Sequence, residues 1–546
     1  MVFVGLDFGT TFSSICSLNK TNSKVLNLNG SPYIPSILAV LDNNKIIVGE
    51  GARSVANYAK NYNIFYDLKR WVGVTKFSFE ALKEKLKPNY VCSFENDDCV
   101  ILGEGPGTYK ASVKTLICEY IRTLIHLYEE TFNEKVEAIN VSVPADYSSL
   151  KRKYMKSILT QLGVRLHRII NEPSAAALYS VFTQSSSNTY VIYDFGGGTF
   201  DCSIIQRKDS IVSIVDTKGD LFLGGRDIDR ELNNLIHSKT NSYLDFSMLS
   251  LVKEEINNFN KETFTLLDIN KKNITFSISM KEFQSIVLPF ARRSEILLED
   301  LIKINSLTNY LICMVGGSSL LQPVYNTIRK LAKNLKAELI RDDNLRLAVA
   351  FGCACLFELE KDINFTYIDV NSQPLYDLGV FHIPEIIVRK PMPVPYTHIV
   401  KHSNNTIFST GVCVLEGNDP WFMNADPLIQ TSMSTDLVSK QGEGYEIHYN
   451  YSLDGEITVT VHSLDNKVIK ELDNSVAQNF TFKELHLDRI QFGNIEEVIA
   501  LVDILRSFPN HQEFKNLDLD FPNIVVNYVN NIGGIKKLDE LVRNIL

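Results

Sequence analysis

The chain has 546 residues, of which 45% are hydrophobic and 22% charged, and its formal net charge is −9. It is too long for one hydrophobic core, so about two to four domains are expected, and with no long basic run it does not advertise nucleic-acid binding. Nine scattered cysteines without a Cys-x-x-Cys pair and ten dispersed histidines without His-Glu-x-x-His exclude a disulfide framework and a zinc site, and read as reduced thiols in a cytosolic setting.

The first predicted strand, Val2–Leu6, starts so early that a signal peptide has no room ahead of it. It ends in Asp7-Phe8-Gly9, turns through Thr10-Thr11 and continues into a second apolar strand. Val113, Leu116, Ile117, Tyr120, Ile121, Leu124 and Tyr128 then repeat at helical spacing and read as one core-facing stripe. Val136–Val143 reads as a strand, Pro144 as a turn and Lys151–Leu162 as a helix. Glu172-Pro173-Ser174-Ala175-Ala176-Ala177 starts another helix, with proline in the first turn where its missing N–H costs least. A polar loop, Thr183–Thr189, leads into Val191-Ile192-Tyr193-Asp194-Phe195-Gly196-Gly197-Gly198-Thr199-Phe200-Asp201, a second copy of the Asp-Phe-Gly hairpin. A third glycine turn, Gly316-Gly317-Ser318, follows the apolar strand Leu311–Val315. The longest apolar run, Leu345–Phe357, contains Arg346 and is too short to span a bilayer; its Cys353 and Cys355 read as small core residues.

Up to about residue 360, strands alternate with helices, as in an α/β layered domain. Near residue 365 the pattern changes to prolines and short β-rich runs. Tyr445–Ser452 and Glu456–His462 flank an Asp454-Gly455 step, a hairpin turn signal, and the region reads as an all-β sandwich. From about residue 485 the character turns helical. One stripe (Ile495, Val498, Ile499, Val502, Leu505) is apolar enough to require burial within the chain or against a partner.

The chemistry lies in the repeated hairpin. Glycines let backbone N–H groups approach an anion, and successive N–H groups form an anion-binding nest. An aspartate just before the turn can hold a hydrated divalent cation. Two such turns face to face would grip one nucleoside triphosphate from both sides. The Gly-Gly pair at 316–317 would admit the nucleoside end, or would merely make a tight strand-to-helix turn. No Gly-x-x-x-x-Gly-Lys-Ser/Thr loop is present, and Gly103-x-Gly105-x-Gly107 reads as a solvent-exposed turn.

The segments GLDFGTTFS, DLKRWVG, NEPSAAA, YDFGGGTFD, LGGRDID and MVGGSS resemble, in order and spacing, the heat shock protein 70 family of DnaK-like chaperones. The resemblance covers residues 1 to about 360 closely and the remainder loosely. It implies an α/β, two-lobed actin/hexokinase-like ATPase domain (1–363), a linker (364–376), a β-sandwich binding domain (377–484) and a short helical C-terminal segment (485–546). It also implies ATP/ADP with Mg²⁺ as ligands. Gly9, Thr10 and Thr11 would bind the phosphates from one lobe, and Gly196, Gly197, Gly198 and Thr199 from the other. Gly224, Gly225, Gly316, Gly317 and Ser318 would complete the nucleotide site. Asp7 and Asp194 would hold Mg²⁺ mainly through its waters. Lys69 would reach the γ-phosphate and orient the attacking water, with Glu172, Asp194, Thr199 and Asp201 completing the catalytic shell. Pro144 and Arg152 match a pair that relays nucleotide state to the linker. Simpler readings stay open: Lys69 and Arg70 as a solvated pair, Glu172 as a favourable charge at a helix N-terminus, and Asp227 and Asp229 as helix braces.

Departures from the family pattern gather at the adenine end. Leu320 stands where an arginine normally clamps the ring, the helix facing the nucleoside reads Lys253-Glu254-Glu255-Ile256-Asn257-Asn258, and Arg346 replaces an acidic residue. The expected consequence is ATP hydrolysis with weaker or less selective base recognition. The C-terminal part looks too short for a full helical lid. Together with Trp71, the VPADY turn and Arg226, this resembles the chaperone homologues encoded by closteroviruses. That branch implies virion-tail assembly and cell-to-cell movement through plasmodesmata, with viral coat and other virion proteins, and host co-chaperones, as partners, in the virion and host cytoplasm. A general folding chaperone and a non-hydrolysing structural virion protein are the alternatives.

Overall fold

The repeated Asp-Phe-Gly sequence folds as a repeated sheet. The computed structural model describes residues 2–472 apart from 20–21, 77, 89, 184–187, 342–345, 372, 379–383, 404–409, 418–425, 434–443 and 466. The helical character read at 485–546 therefore lies outside the described residues. The chain divides into two units: Met1–Val74, Lys87–Tyr147 and Lys151–Ser372 make the first, and Thr75–Leu86, Ser148–Leu150 and the chain from Gln373 make the second.

In the first unit, β1 (Val2–Phe8) and β2 (Phe12–Leu18) form the first hairpin, flanked by β3 (Val136–Val143) and β4 (Arg165–Asn171). The order is β4-β3-β1-β2, followed by the short strand Ser23–Val25. The second sheet contains β5 (Thr189–Phe195), β6 (Phe200–Lys208), β7 (Ile211–Asp220), β8 (Leu311–Val315) and β9 (Glu338–Arg341), in the order β9-β8-β5-β6-β7. The two orders are the same: a hairpin with a third antiparallel strand on one side and two parallel strands on the other. Register repeats too, with Asp7 opposite Ser14 and Asp194 opposite Asp201.

Parallel pairs need crossover connections and are covered on both faces. Successive residues of β5 show this: Val191, Tyr193 and Phe195 enter one apolar cluster, whereas Tyr190 and Ile192 enter another. The first cluster is closed by α5 (Met280–Ile304) and α6 (Gln322–Leu335), through Phe283, Leu298, Val324 and Ile328. These follow α1 (Val113–Phe132), α2 (Glu172–Thr183), α3 (Gly225–Thr240) and α4 (Phe246–Phe259) in the chain. The second cluster is closed by α2 and α7 (Ala348–Leu359). Every residue of the stripe read on α1 is buried.

Small residues let α2 and α7 approach backbone to backbone. A methyl group at Gly352 would lie 2.8 Å from Ala175 Cα and closer still to its carbonyl. At Gly5, on β1, it would lie 2.8 Å from Cys353 Cβ. Cys353 and Cys355 are fully buried, as a reading of them as small core residues requires. The segment read as a linker contributes a strand, β10 (Thr366–Val370), paired in parallel with β7 through Ile211–Thr366, Val212–Tyr367 and Ser213–Ile368.

In the second unit, β11 (Leu375–Leu378), β12 (Pro384–Val388), β14 (Thr410–Glu416) and β15 (Asp426–Met433) form an antiparallel sheet in the order β12-β11-β14-β15. β13 (Tyr396–Ser403), β16 (Gly444–Tyr451), β17 (Ile457–Ser463) and β18 (Val468–Leu472) form another, in the order β13-β16-β17-β18. Leu375, Val388 and Val414 of the first share one apolar cluster with Tyr445, Ile447, Tyr449, Val459 and Val461 of the second. The hairpin expected at Asp454-Gly455 is present, with Tyr451 opposite Ile457 and Gly455 at φ 73°.

Gly352→Ala should destabilise the first unit by about 3 kcal/mol, because the added methyl meets backbone that cannot rotate away. A lowered urea midpoint at unchanged slope is the expected reading; an unchanged midpoint would refute the close-approach account.

Candidate functional site

The two hairpin turns meet. A methyl group at Gly198 would lie 2.7 Å from Thr10 Cβ, and one at Gly197 would lie 2.8 Å from Thr11 Cβ. Glycine is required at these positions by proximity, since neither has a positive φ. The N-terminus of α3 locks the second turn: Gly225 N–H donates to Gly196 O (3.1 Å) and Arg226 N–H to Gly197 O (2.7 Å). Ser318 Oγ, from the third glycine turn, donates to Gly196 O at 2.8 Å.

One cavity runs between these turns. Asp7, Gly9, Thr10, Thr11, Lys69, Glu172, Asp194, Gly196, Gly197, Gly198, Thr199, Gly225, Gly316, Gly317 and Ser318 all line it, so nearly all the sequence-read residues converge. Gly224 and Asp201 do not line it. Gly224 instead admits the backbone of Gly198, 2.6 Å from where its methyl group would be. Asp201 is buried beneath the turn, with Oδ1 accepting from Ala145 N–H at 3.1 Å.

Lys69 is no solvated side chain. It is buried and pairs with Glu172, which sits at the start of α2. Arg70 turns the other way, holding Asp227 through two bonds (3.1 and 3.0 Å) and reaching Gly198 O at 3.3 Å. Asp227 also accepts Gly224 N–H at 3.0 Å, so it braces the start of α3. Asp229 pairs with Lys253 at 2.7 Å. A further charged pair joins Arg226 to Asp67 (2.9 Å). The VPADY turn supports this group: Tyr147 Oη donates to Lys69 O at 3.1 Å, next to the Ala145–Asp201 bond.

Arg152 donates from Nε to Tyr147 O (3.1 Å) and contacts Asn171. Asn171 Nδ2 donates to both oxygens of Asp369 (3.1 Å each), and Tyr367 Oη donates to Asp369 at 2.6 Å. A continuous polar path thus joins the Tyr147 turn to β10. Among the lining residues that escaped the sequence reading is Tyr33, in Pro32-Tyr33-Ile34-Pro35, which carries no motif signal; the role of Arg70, left open there as half of a solvated pair, was also not assigned.

The electrostatics favour a cation. Burial, and next the Glu172 carboxylate, push Asp7 up to about 7 despite Lys69 and a hydrogen bond from Ser142 (3.1 Å). Burial and then Glu172 also raise Asp194 and Asp201 well above the usual carboxylate range. Among the described residues no group of three His, Cys, Asp or Glu side chains could hold an ion directly. That donor set suits Mg²⁺, which keeps several waters and takes one or two carboxylates plus substrate phosphates. Thr11 Oγ1 is buried without a hydrogen-bond partner at the same place, an orphan that a bound anion's oxygen can satisfy.

The raised Asp7 makes stability pH-dependent. Folded Asp7 holds its proton up to about pH 7, whereas its ordinary value is 3.8. The folded state therefore binds more protons between those limits, and stability falls as pH rises through them. In EDTA without nucleotide, Asp7→Asn should melt higher than wild type by about 2 °C or more at pH 8, the gap closing toward pH 4. A gap independent of pH would show that Asp7 carries no such burden.

The Hsp70 protein family model matches residues 3–380. The chain is 38% identical to the "Movement protein Hsp70h" of Lettuce infectious yellows virus, over 98% of this chain and 97% of that one. It is 29% identical to the "Movement protein Hsp70h" of Grapevine leafroll-associated virus 3, over 92% of each. It is also 25% identical to the "Chaperone protein DnaK" of Carsonella ruddii, over 98% of this chain and 92% of that one. A match spanning most of the first unit, on the segments that build the cavity, means that the chain belongs to the Hsp70 protein family.

Proposed function

We propose that this chain is a slow, Mg²⁺-dependent ATPase that acts in viral movement and virion assembly. The observation that carries the ATPase reading is the contact of the two Asp-Phe-Gly turns, Gly197 and Gly198 against Thr11 and Thr10, around a buried, unpartnered Thr11 hydroxyl. On this reading the first unit is a two-lobed actin/hexokinase-like domain, one lobe for each sheet of the repeat, and the second is a β-sandwich.

Asp7 and Asp194 would hold Mg²⁺ through its waters; bound there, the ion neutralises phosphate charge. The turn residues Gly9–Thr11 and Gly196–Thr199 supply backbone N–H and hydroxyl donors to the phosphates. Lys69, fixed by Glu172, presents an ammonium in the cavity, where it stabilises charge and orients the water. Phosphoryl transfer needs positioning and charge neutralisation rather than covalent participation, so this set suffices for slow turnover. The Arg152–Asn171–Asp369 path gives the turn region a physical link to β10, a route by which nucleotide state would reach the linker segment.

The movement role rests on the names of the relatives at 38% and 29% identity. Assembly, with coat and other virion proteins as partners, extends that reading, as do host co-chaperones and a place in the virion, the host cytoplasm and plasmodesmata. None of the described helices is long and apolar enough to cross a membrane.

Purified protein should hydrolyse ATP slowly with Mg²⁺, and Lys69→Ala should lower turnover on the order of 10²-fold while nucleotide still binds. A folded wild-type protein with no turnover would remove the enzymatic reading. Co-purification with coat protein or filamentous particles is expected for the assembly role. Refolding of denatured substrates with J-domain and exchange-factor partners would favour a general chaperone instead.

A further inference from the structure

Among the described residues, three cations line the cavity: Lys69, Lys253 and Arg346. Two are committed to buried carboxylates, Lys69 to Glu172 and Lys253 to Asp229. Arg346 differs. Among the described residues, the carboxylate it meets is Glu254, at 3.7 Å and about half exposed, and its buried Nε has no acceptor. The guanidinium carbon lies 5.3 Å from the centre of the Tyr33 ring. The group packs beside Gly317, where a methyl would lie at an ordinary contact distance of 3.5 Å from Nε.

Asn257, on the facing wall, is already satisfied. Asn257 Oδ1 accepts Gln322 N–H at 2.8 Å, and its Nδ2 donates to Leu320 O at 3.2 Å. What this end of the cavity offers a ligand is therefore a planar, donor-only cation backed by an aromatic ring, with the Glu254 carboxylate beside it as an acceptor. A guanidinium stacks on π-faces and donates in its own plane. A flat heterocycle carrying both acceptors and N–H donors on its edges matches that combination.

Resting on the triphosphate reading above, we propose that Arg346, backed by Tyr33, is the base-contacting residue of this site. With Glu254 it accepts a purine without separating adenine from guanine. Either purine offers an acceptor to the arginine (N7, or O6 and N7) and an N–H to the glutamate, so the pair has no means of rejecting one of them. The arginine thus takes over, from the turn just before α7, a task for which Leu320 has no chemistry.

Calorimetric titration of the full chain with Mg²⁺ and ATP, GTP or inorganic tripolyphosphate tests this. Wild type should bind ATP and GTP within about threefold of each other. Arg346→Ala should weaken both about tenfold or more, the loss of one in-plane hydrogen-bonding contact to the base edge, and leave tripolyphosphate within about twofold. Arg346→Lys, which keeps the charge but not the plane, should remain weakened, and Tyr33→Ala should follow the same pattern. ATP affinity unchanged in Arg346→Ala, or in Arg346→Lys if the alanine variant melts below assay temperature, would overturn the proposal. So would an equal loss of tripolyphosphate by a folded variant, because the charge would then be acting on the phosphates. A wild-type preference for ATP over GTP above about tenfold would overturn the purine-tolerance half. Failure of wild type to bind tripolyphosphate at all would instead defeat the triphosphate reading itself.

Discussion

Everything in the first unit depends on two glycine turns touching. Gly197 and Gly198 stand where any side chain would strike Thr11 and Thr10, and Gly224 stands where one would strike Gly198. Backbone contact of this kind leaves no slack. The α3 N-terminus, the Gly316–Ser318 turn and the Arg70–Asp227 pair are all fastened to the second turn by hydrogen bonds to its carbonyls or to the residues that cap it. The same contact brings the aspartates that precede each turn into one cavity.

That concentration of carboxylates is costly. Asp7, Asp194, Asp201 and Glu172 are buried within one another's fields, and Lys69 is the cation set directly against them. Burying like charges without full compensation raises their proton affinity rather than stabilising the fold. A site built this way suits a divalent cation and a polyanion together: on the proposed reading the ion would relieve the carboxylates, and the turn donors and Lys69 would hold the phosphates. On the proposed reading, function and instability share one cause.

The end of the cavity assigned above to the nucleoside obeys different constraints. The end assigned to the phosphates is fixed by glycines, where one added carbon clashes. Beyond Gly317 the wall is made of long side chains, among them Tyr33, Glu254, Leu320 and Arg346. A guanidinium can be supplied from a different backbone position as long as it reaches the same space. Backbone-limited geometry keeps its residues; side-chain-limited geometry can exchange them.

Much was legible in the chain alone because it is local. The twin hairpins, the α1 stripe, β3, the Glu172 helix start and the Asp454-Gly455 turn follow from strand alternation, helical spacing and turn chemistry over a few residues. Resemblance then placed the phosphate, carboxylate and lysine positions, nearly all of which line the cavity. Tertiary structure decided what depends on partners far away in sequence. It turned Arg70 inward onto Asp227 and Gly198, made Asp227 a brace, buried Asp201 under Ala145 and drew Tyr33 beneath Arg346. It also converted the stretch around Asp369 from a connecting segment into a strand beside β7. No window of sequence carries those outcomes, because a charged side chain reads as solvated until the fold supplies its counter-ion, and a short strand reads as linker until an edge is there to pair with it.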